Sequence, residues 1–129
     1  MKSTTLILGA AVALGLTAAP AIAHQTVTSN GARVTLHVNP DDAPEAGVPS
    51  SIRVLSVKVP SRSRFAFRTC RCAIRITDSA GRVVMSRSMK TSTTFTFPRA
   101  GGYQITYSGK YTRSGRTKRF AAKFAIRAS

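Results

Sequence analysis

Cys70 and Cys72 are the only cysteines in this 129-residue chain, and they stand two residues apart. On a β-strand, side chains two apart share a face, so both sulfurs can converge on one ion, or on each other, without rearranging the backbone. As thiolates they form a soft pair suited to Cu(I) or Zn(II), and Cu(I) tolerates two ligands. As a redox pair they can close a small, strained disulfide that is readily reduced. As packing residues they continue the apolar parity of Ile74 and Ile76 and fill space as small hydrophobes. Arg68, Arg71 and Arg75 flank the pair, and cations close to a sulfur favour its thiolate. The sequence leaves all three readings open.

His24 gains chemical interest from what precedes it. Lys2 opens a segment with an apolar run over residues 6–16, followed by Pro20 and then Ala21-Ile22-Ala23. The run is shorter than the roughly 20 residues needed to span a bilayer. The small residues at 21 and 23 fit a signal peptidase site. Residues 1–23 are therefore expected to be a cleaved signal peptide, with a mature domain over 24–129 that is secreted or periplasmic and has no transmembrane segment. A His24 exposed by cleavage carries a free α-amine beside its imidazole, a chelate for Cu(II) that needs at least one further ligand. His37 is the only other histidine. A solvated terminal histidine is the alternative, and cleavage after Ala21 would remove the chelate.

Charge is the other candidate chemistry. The chain carries 20 Lys and Arg against 4 acids, a formal net charge of +16. Loss of Lys2 with the leader leaves +15. Arginine outnumbers lysine, and its planar donor fork matches carboxylates and phosphates. Such a balance points to anionic partners, here an envelope component or polysaccharide. Arg113, Arg116, Lys118 and Arg119 concentrate this charge in a loop between two strands and are the candidate anion-binding residues. No aromatics alternate with these cations as a base-stacking platform needs, which argues against nucleic-acid readout. Asp41, Asp42 and Glu45 share one loop and leave a single acid elsewhere, too few for a carboxylate active site. Neither a glycine-rich phosphate cradle nor a credible Ser-His-Asp order is present. The chain is expected not to be an enzyme.

The elements that must position these residues read almost entirely as strands. Residues 34–38 alternate apolar and polar after an Asn30-Gly31 turn. Residues 39–49 are dense in turn formers. Over 51–59 the apolar parity moves from Ile52 and Val54 to Leu55, Val57 and Val59, which predicts a bulge. Over 65–77 it moves from Phe65 and Phe67 to Cys70, Cys72, Ile74 and Ile76, so the chain must bend near Arg68-Thr69. Strands follow at 82–87, 93–97 and 103–107, then a loop marked by Ser108-Gly109-Lys110 and Ser114-Gly115-Arg116, then a last strand with Phe120, Ala122, Phe124 and Ile126. About seven strands with turns between them predict one small antiparallel, immunoglobulin-like β-sandwich. Val34, Leu36, Val38, Ile74, Ile76, Phe95, Phe97, Tyr103, Ile105, Phe124 and Ile126 should face inward.

Residues 37–49 (HVNPDDAPEAGVP), the Cys70-Arg71-Cys72 triplet and residues 97–103 (FPRAGGY) occur in one order. Together they resemble a group of uncharacterised exported bacterial β-sandwich proteins with a Cys-x-Cys motif and an F-P-x-A-G-x-Y strand entry. The resemblance implies the fold and export, and it carries no activity or functional residue across. The leading expectation is a non-enzymatic binding or structural module with a strongly basic surface. The alternative is a periplasmic copper-binding protein that uses Cys70 and Cys72, with His24 as a further candidate ligand.

Overall fold

The computed structural model describes residues 24–129; the expected leader over 1–23 and its cleavage site lie outside the described residues. Nine strands follow one another: β1 (Gln25–Ser29), β2 (Ala32–Val38), β3 (Pro49–Lys58), β4 (Ser63–Arg64), β5 (Ala73–Asp78), β6 (Val83–Ser88), β7 (Ser92–Thr96), β8 (Gly101–Arg113) and β9 (Arg116–Ala128). No helix occurs among the described residues. One antiparallel sheet has the order β1-β2-β3-β7. The second is built on β8, which β9 follows along one side for its whole length. The other side of β8 is shared by β5 and the short β4, and β6 lies outside β5.

Both sheets contribute their inward residues to a single core. Val34, Leu36, Val38 and Ile52 from the first sheet meet Ile74, Ile76, Ile105, Tyr107, Phe120, Ala122 and Phe124 from the second, all essentially buried. Every residue expected inward is buried except Phe95, which is partly buried against the core and packs edge-on to Phe97. The hairpins around this core follow from turn chemistry. Asn30 and Gly31 both take positive φ (44° and 83°), as do Ser114 and Gly115 (50° and 72°). Two consecutive left-handed residues give the tight turn whose twist matches antiparallel strands. The first of these turns creates β1, a strand the sequence conceals because Val27 is its one aliphatic residue.

The expected bulge lies in β3. Thr35 pairs with Ser56 and Leu36 with Val54, which leaves Leu55 without a partner. Ile52 and Val54 are buried, and Val57 and Val59 are partly buried. Leu55 itself is not part of the apolar face, since the extra residue turns it to solvent at 48 % exposure.

The bend near Arg68-Thr69 is a detour from the ladder. β4 pairs with β8 at Arg64↔Thr112, and pairing resumes at Ala73↔Ser108. Residues 65–72 thus stand opposite only Gly109, Lys110 and Tyr111. The chain turns back at Phe67, whose carbonyl accepts the Cys70 N–H at 3.3 Å. Phe65 and Phe67 pack edge to face and hold the detour to the core. Cys70 and Cys72 lie at its end, just before β5 rather than within a strand.

The loop expected around Ser108-Gly109-Lys110 is instead continuous strand within β8. Gly109 breaks the sequence pattern for a packing reason. A Cβ there would lie 2.7 Å from the Phe120 ring and 2.8 Å from Cys72 Sγ, so the absent side chain gives the disulfide and the ring their space. Around it β8 carries three inward tyrosines, each donating a hydrogen bond to a connecting segment: Tyr103 to the Arg99 carbonyl (2.7 Å), Tyr107 to Lys90 (2.6 Å) and Tyr111 to Asn30 (2.8 Å). Burial pushes the Tyr107 phenol well above its ordinary range and keeps it a donor.

Leu36→Ala or Phe124→Ala is expected to cost about 2–5 kcal/mol in denaturant unfolding, because each leaves a cavity in a fully buried site. Tyr107→Phe is expected to cost about 1 kcal/mol by leaving the Lys90 carbonyl unpaired. Above pH 10, the ordinary phenol value, the unfolded chain ionises Tyr107 while the folded chain holds it neutral, so stability falls. Measured across that range, the Tyr107→Phe variant should lose less stability than wild type.

Candidate functional site

Cys70 and Cys72 are joined as a disulfide, with Cα atoms 5.2 Å apart. Cys72 is buried, in parity with Ile74 and Ile76, and Cys70 is partly exposed. Joined in this way the sulfurs offer no thiolate, and binding of Cu(I) requires their prior reduction. Arg71, held between them, is exposed.

His24 is exposed and directly precedes β1. Gln25 pairs with Leu36, so the antiparallel register places His24 across from His37. The His37 Nε2 lies 2.7 Å from Asn39 Oδ1, and its Nδ1 lies 3.4 Å from the Asp42 carboxylate. The structure does not bring His24 to the sulfurs. Gln25 reaches the Ala125 carbonyl at one end of β1, whereas Cys72 packs on Gly109 and Phe120 at the other. At about 3.3 Å per residue, the two ends of this five-residue strand are roughly 13 Å apart. Among the described residues, no group of three or more His, Cys, Asp or Glu is gathered to hold a metal.

The acids have structural partners. Asp42 Oδ1 accepts the Val38 N–H at 2.7 Å and closes the loop after β2. Asp78 Oδ1 accepts the Ala80 and Arg82 N–H groups, and its Oδ2 takes the Arg82 side chain at 3.3 Å. The Arg82 N–H, the Ala80 N–H and the Arg82 charge hold the Asp78 carboxyl below its usual value, against some desolvation.

The four cations chosen from sequence are not one cluster. Their segment is a regular two-stranded ribbon with only Ser114 and Gly115 in its turn, not an extended loop. Side chains alternate across a ribbon. Arg113, Arg116 and Lys118 therefore lie on the side of Tyr111 and Phe120, beyond the end of the core, while Arg119 lies on the outer side opposite Lys110. On that outer side Arg119 heads a longer series. Arg119, Lys123 and Arg127 recur every four residues along β9, about 13 Å apart by strand rise. Lys123 shares a row with Thr106 and Arg75, and Arg127 pairs with Gly102. Between them stand Ala73, Thr77, Gln104, Thr106, Ser108, Ala121 and Ala125. Among the described residues one carboxylate reaches this face: Asp78 has the parity of the inward Ile74 and Ile76, but at the end of β5 it lines a cleft of about 570 Å³ with Thr77, Gln104, Ala125 and Arg127.

Two clefts interrupt the face where the detour opens the ladder. One, of about 490 Å³, is lined by Arg71, Lys110 and Arg119, with Ser29 and Gly109. The other, of about 300 Å³, adds Arg64 to Arg71 and Lys110, beside Cys70. Sequence reasoning missed Lys110, which it placed in a loop. The signal was present, since Tyr107, Gly109 and Tyr111 keep one parity and Ser108, Lys110 and Thr112 the other. No family model, curated protein or solved structure matches the chain.

The folded, oxidised domain is expected to yield no titratable thiol in denaturant until a reductant is added, and two afterwards. Two thiols without reductant would contradict the pairing.

Proposed function

We propose that this chain is an exported, non-enzymatic sandwich of immunoglobulin type that binds an anionic envelope polysaccharide on the outer face of the β6-β5-β8-β9 sheet. The carrying observation is the run Arg119, Lys123 and Arg127, flanked by Lys110 and Arg75, on a face whose one carboxylate, Asp78, stands at the Arg127 end and is engaged with Arg82. Export is supported by the leader-like residues 1–23. The immunoglobulin-type reading is supported by strand order, with β2-β3-β7 set against β6-β5-β8-β9. It is supported as well by Tyr103, at the start of β8, whose hydroxyl returns to the Arg99 backbone in the manner of a tyrosine corner.

An extended polymer suits this face better than a bilayer does. The cations are spread over roughly 26 Å of β9 at strand rise, and the intervening side chains are small. Among the described residues Val83, on β6 and away from the β9 cations, is the one large aliphatic exposed on this sheet, and a lone valine is a poor apolar anchor where interfacial binders bury a whole apolar face. The attraction is electrostatic, so added salt should weaken it.

The test uses the chain over 24–129 and affinity for heparin as a model polyanion. Changing Arg119, Lys123 and Arg127 together to Ser is expected to weaken binding about tenfold or more and to flatten its salt dependence. The control removes Arg33, Arg53 and Lys58 from the outer face of the other sheet, an equal loss of charge. A second control removes Arg113, Arg116 and Lys118 at the ribbon tip. Equal losses from all three sets would reduce the interaction to bulk charge and overturn the assignment of a face.

A further inference from the structure

Within this polyanion-binding reading, on which the inference rests, we propose that Arg71, Lys110 and Arg119 form a discrete pocket for a phosphate monoester group, with the Cys70–Cys72 disulfide positioning Arg71. All three cations line one cleft of about 490 Å³. Lys110 and Arg119 are directly opposed in the β8–β9 ladder. Like charges in that relation are destabilising, and a bound dianion relieves the repulsion. Arg33 with Lys58 and Arg113 with Arg116 are opposed as well; what distinguishes Lys110 and Arg119 is the cleft they share with Arg71.

The backbone that carries each cation is fixed without a carboxylate. Asn30 Nδ2 donates to the Arg119 carbonyl at 2.7 Å, and Ser29 Oγ accepts the Ala121 N–H at 3.0 Å, so the end of β1 fixes β9 on both sides of Phe120. Lys110 is fixed by continuous pairing with β9. Arg71 belongs to no strand. Its place comes from the cysteine on each side, of which Cys72 is buried against Gly109 and Phe120. This gives the cysteines a role that a purely apolar pair would not fill, since the crosslink constrains the Cys70-Arg71-Cys72 segment at the end of the detour and leaves Arg71 beside Lys110.

The ligand class follows from charge and shape. Arginine forks bind tetrahedral oxyanions with paired hydrogen bonds. A phosphate monoester carries about −1.5 to −2 charge at neutral pH, which offsets much of the charge of three cations. A sulfate ester carries a single negative charge and satisfies less of it.

The experiment titrates the oxidised chain over 24–129 with methyl phosphate and with methyl sulfate at fixed ionic strength, following backbone and arginine side-chain resonances. Saturable shifts at Arg71, Lys110 and Arg119 are expected, with methyl phosphate the tighter ligand. Arg71→Gln and Lys110→Gln should each weaken methyl phosphate about tenfold, a loss typical of one charge-assisted contact. Lys110→Gln should leave the unliganded Tm unchanged or raised, because it removes a repulsion. Reduction of the disulfide should weaken binding as much as Arg71→Gln, add nothing in that variant, and be reversed by reoxidation, with the fold monitored throughout. Absence of saturable binding, or equal binding by wild type and both variants, overturns the pocket. Binding indifferent to reduction overturns the positioning role of the disulfide. Heparin affinity that survives while methyl phosphate fails removes the pocket and leaves the polysaccharide face standing; loss of both removes both.

Discussion

The rest of the structure depends on the ladder between β8 and β9, thirteen residue pairs from Gly101↔Ala128 to Arg113↔Arg116. Period-two alternation in these strands does two jobs at once. One parity sends Tyr103, Ile105, Tyr107, Phe120, Phe124 and Ile126 into the core. The other sends Lys110, Arg119, Lys123 and Arg127 outward. A slip of one residue would exchange the sets, burying cations and exposing aromatics. The burial that stabilises the sandwich therefore also gathers the charge.

That charge has little internal compensation. Asp42 is engaged with the Val38 N–H and Asp78 with the turn before β6, and Asp41 and Glu45 share the loop after β2. Of these only Asp78 reaches the outer face of β5, β8 and β9, at the Arg127 end. A folded surface that keeps like charges opposed across strands gives up some stability, which binding of an anion would restore. The sheet opens where residues 65–72 leave the ladder. The disulfide ties Cys70 to Cys72 at the edge of that opening, and Gly109 makes room for it.

Much of this was legible in the sequence because burial writes a period. The core residues, the bulge in β3 and the turn near Arg68-Thr69 all follow from changes of apolar parity. Asn30-Gly31 and Ser114-Gly115 follow from the backbone freedom that tight hairpins require. What stayed hidden carried no apolar signal of its own. β1 has one aliphatic residue and is held by register and by side-chain bonds to β9. Gly109 and Lys110 read as a loop because glycine there serves packing rather than turning. The cations were legible as a number and not as a surface: Arg113, Arg116, Lys118 and Arg119 are neighbours in sequence, yet the ribbon puts Arg119 on the other side. Arg71 and Lys110 meet only because β8 passes beside the detour, which no local pattern announces.

The central claim is that one face of the sandwich, the outer surface of β5, β8 and β9, receives the anionic partner. Mapping backbone amide shifts of the isotope-labelled chain over 24–129 during titration with a short heparin oligosaccharide tests it most directly. The account predicts shifts concentrated at Arg75, Lys110, Arg119, Lys123 and Arg127 and their strand neighbours, with β2 and β3 silent. Shifts centred on Arg113 and Arg116 at the ribbon tip, or spread evenly over both sheets, would contradict it.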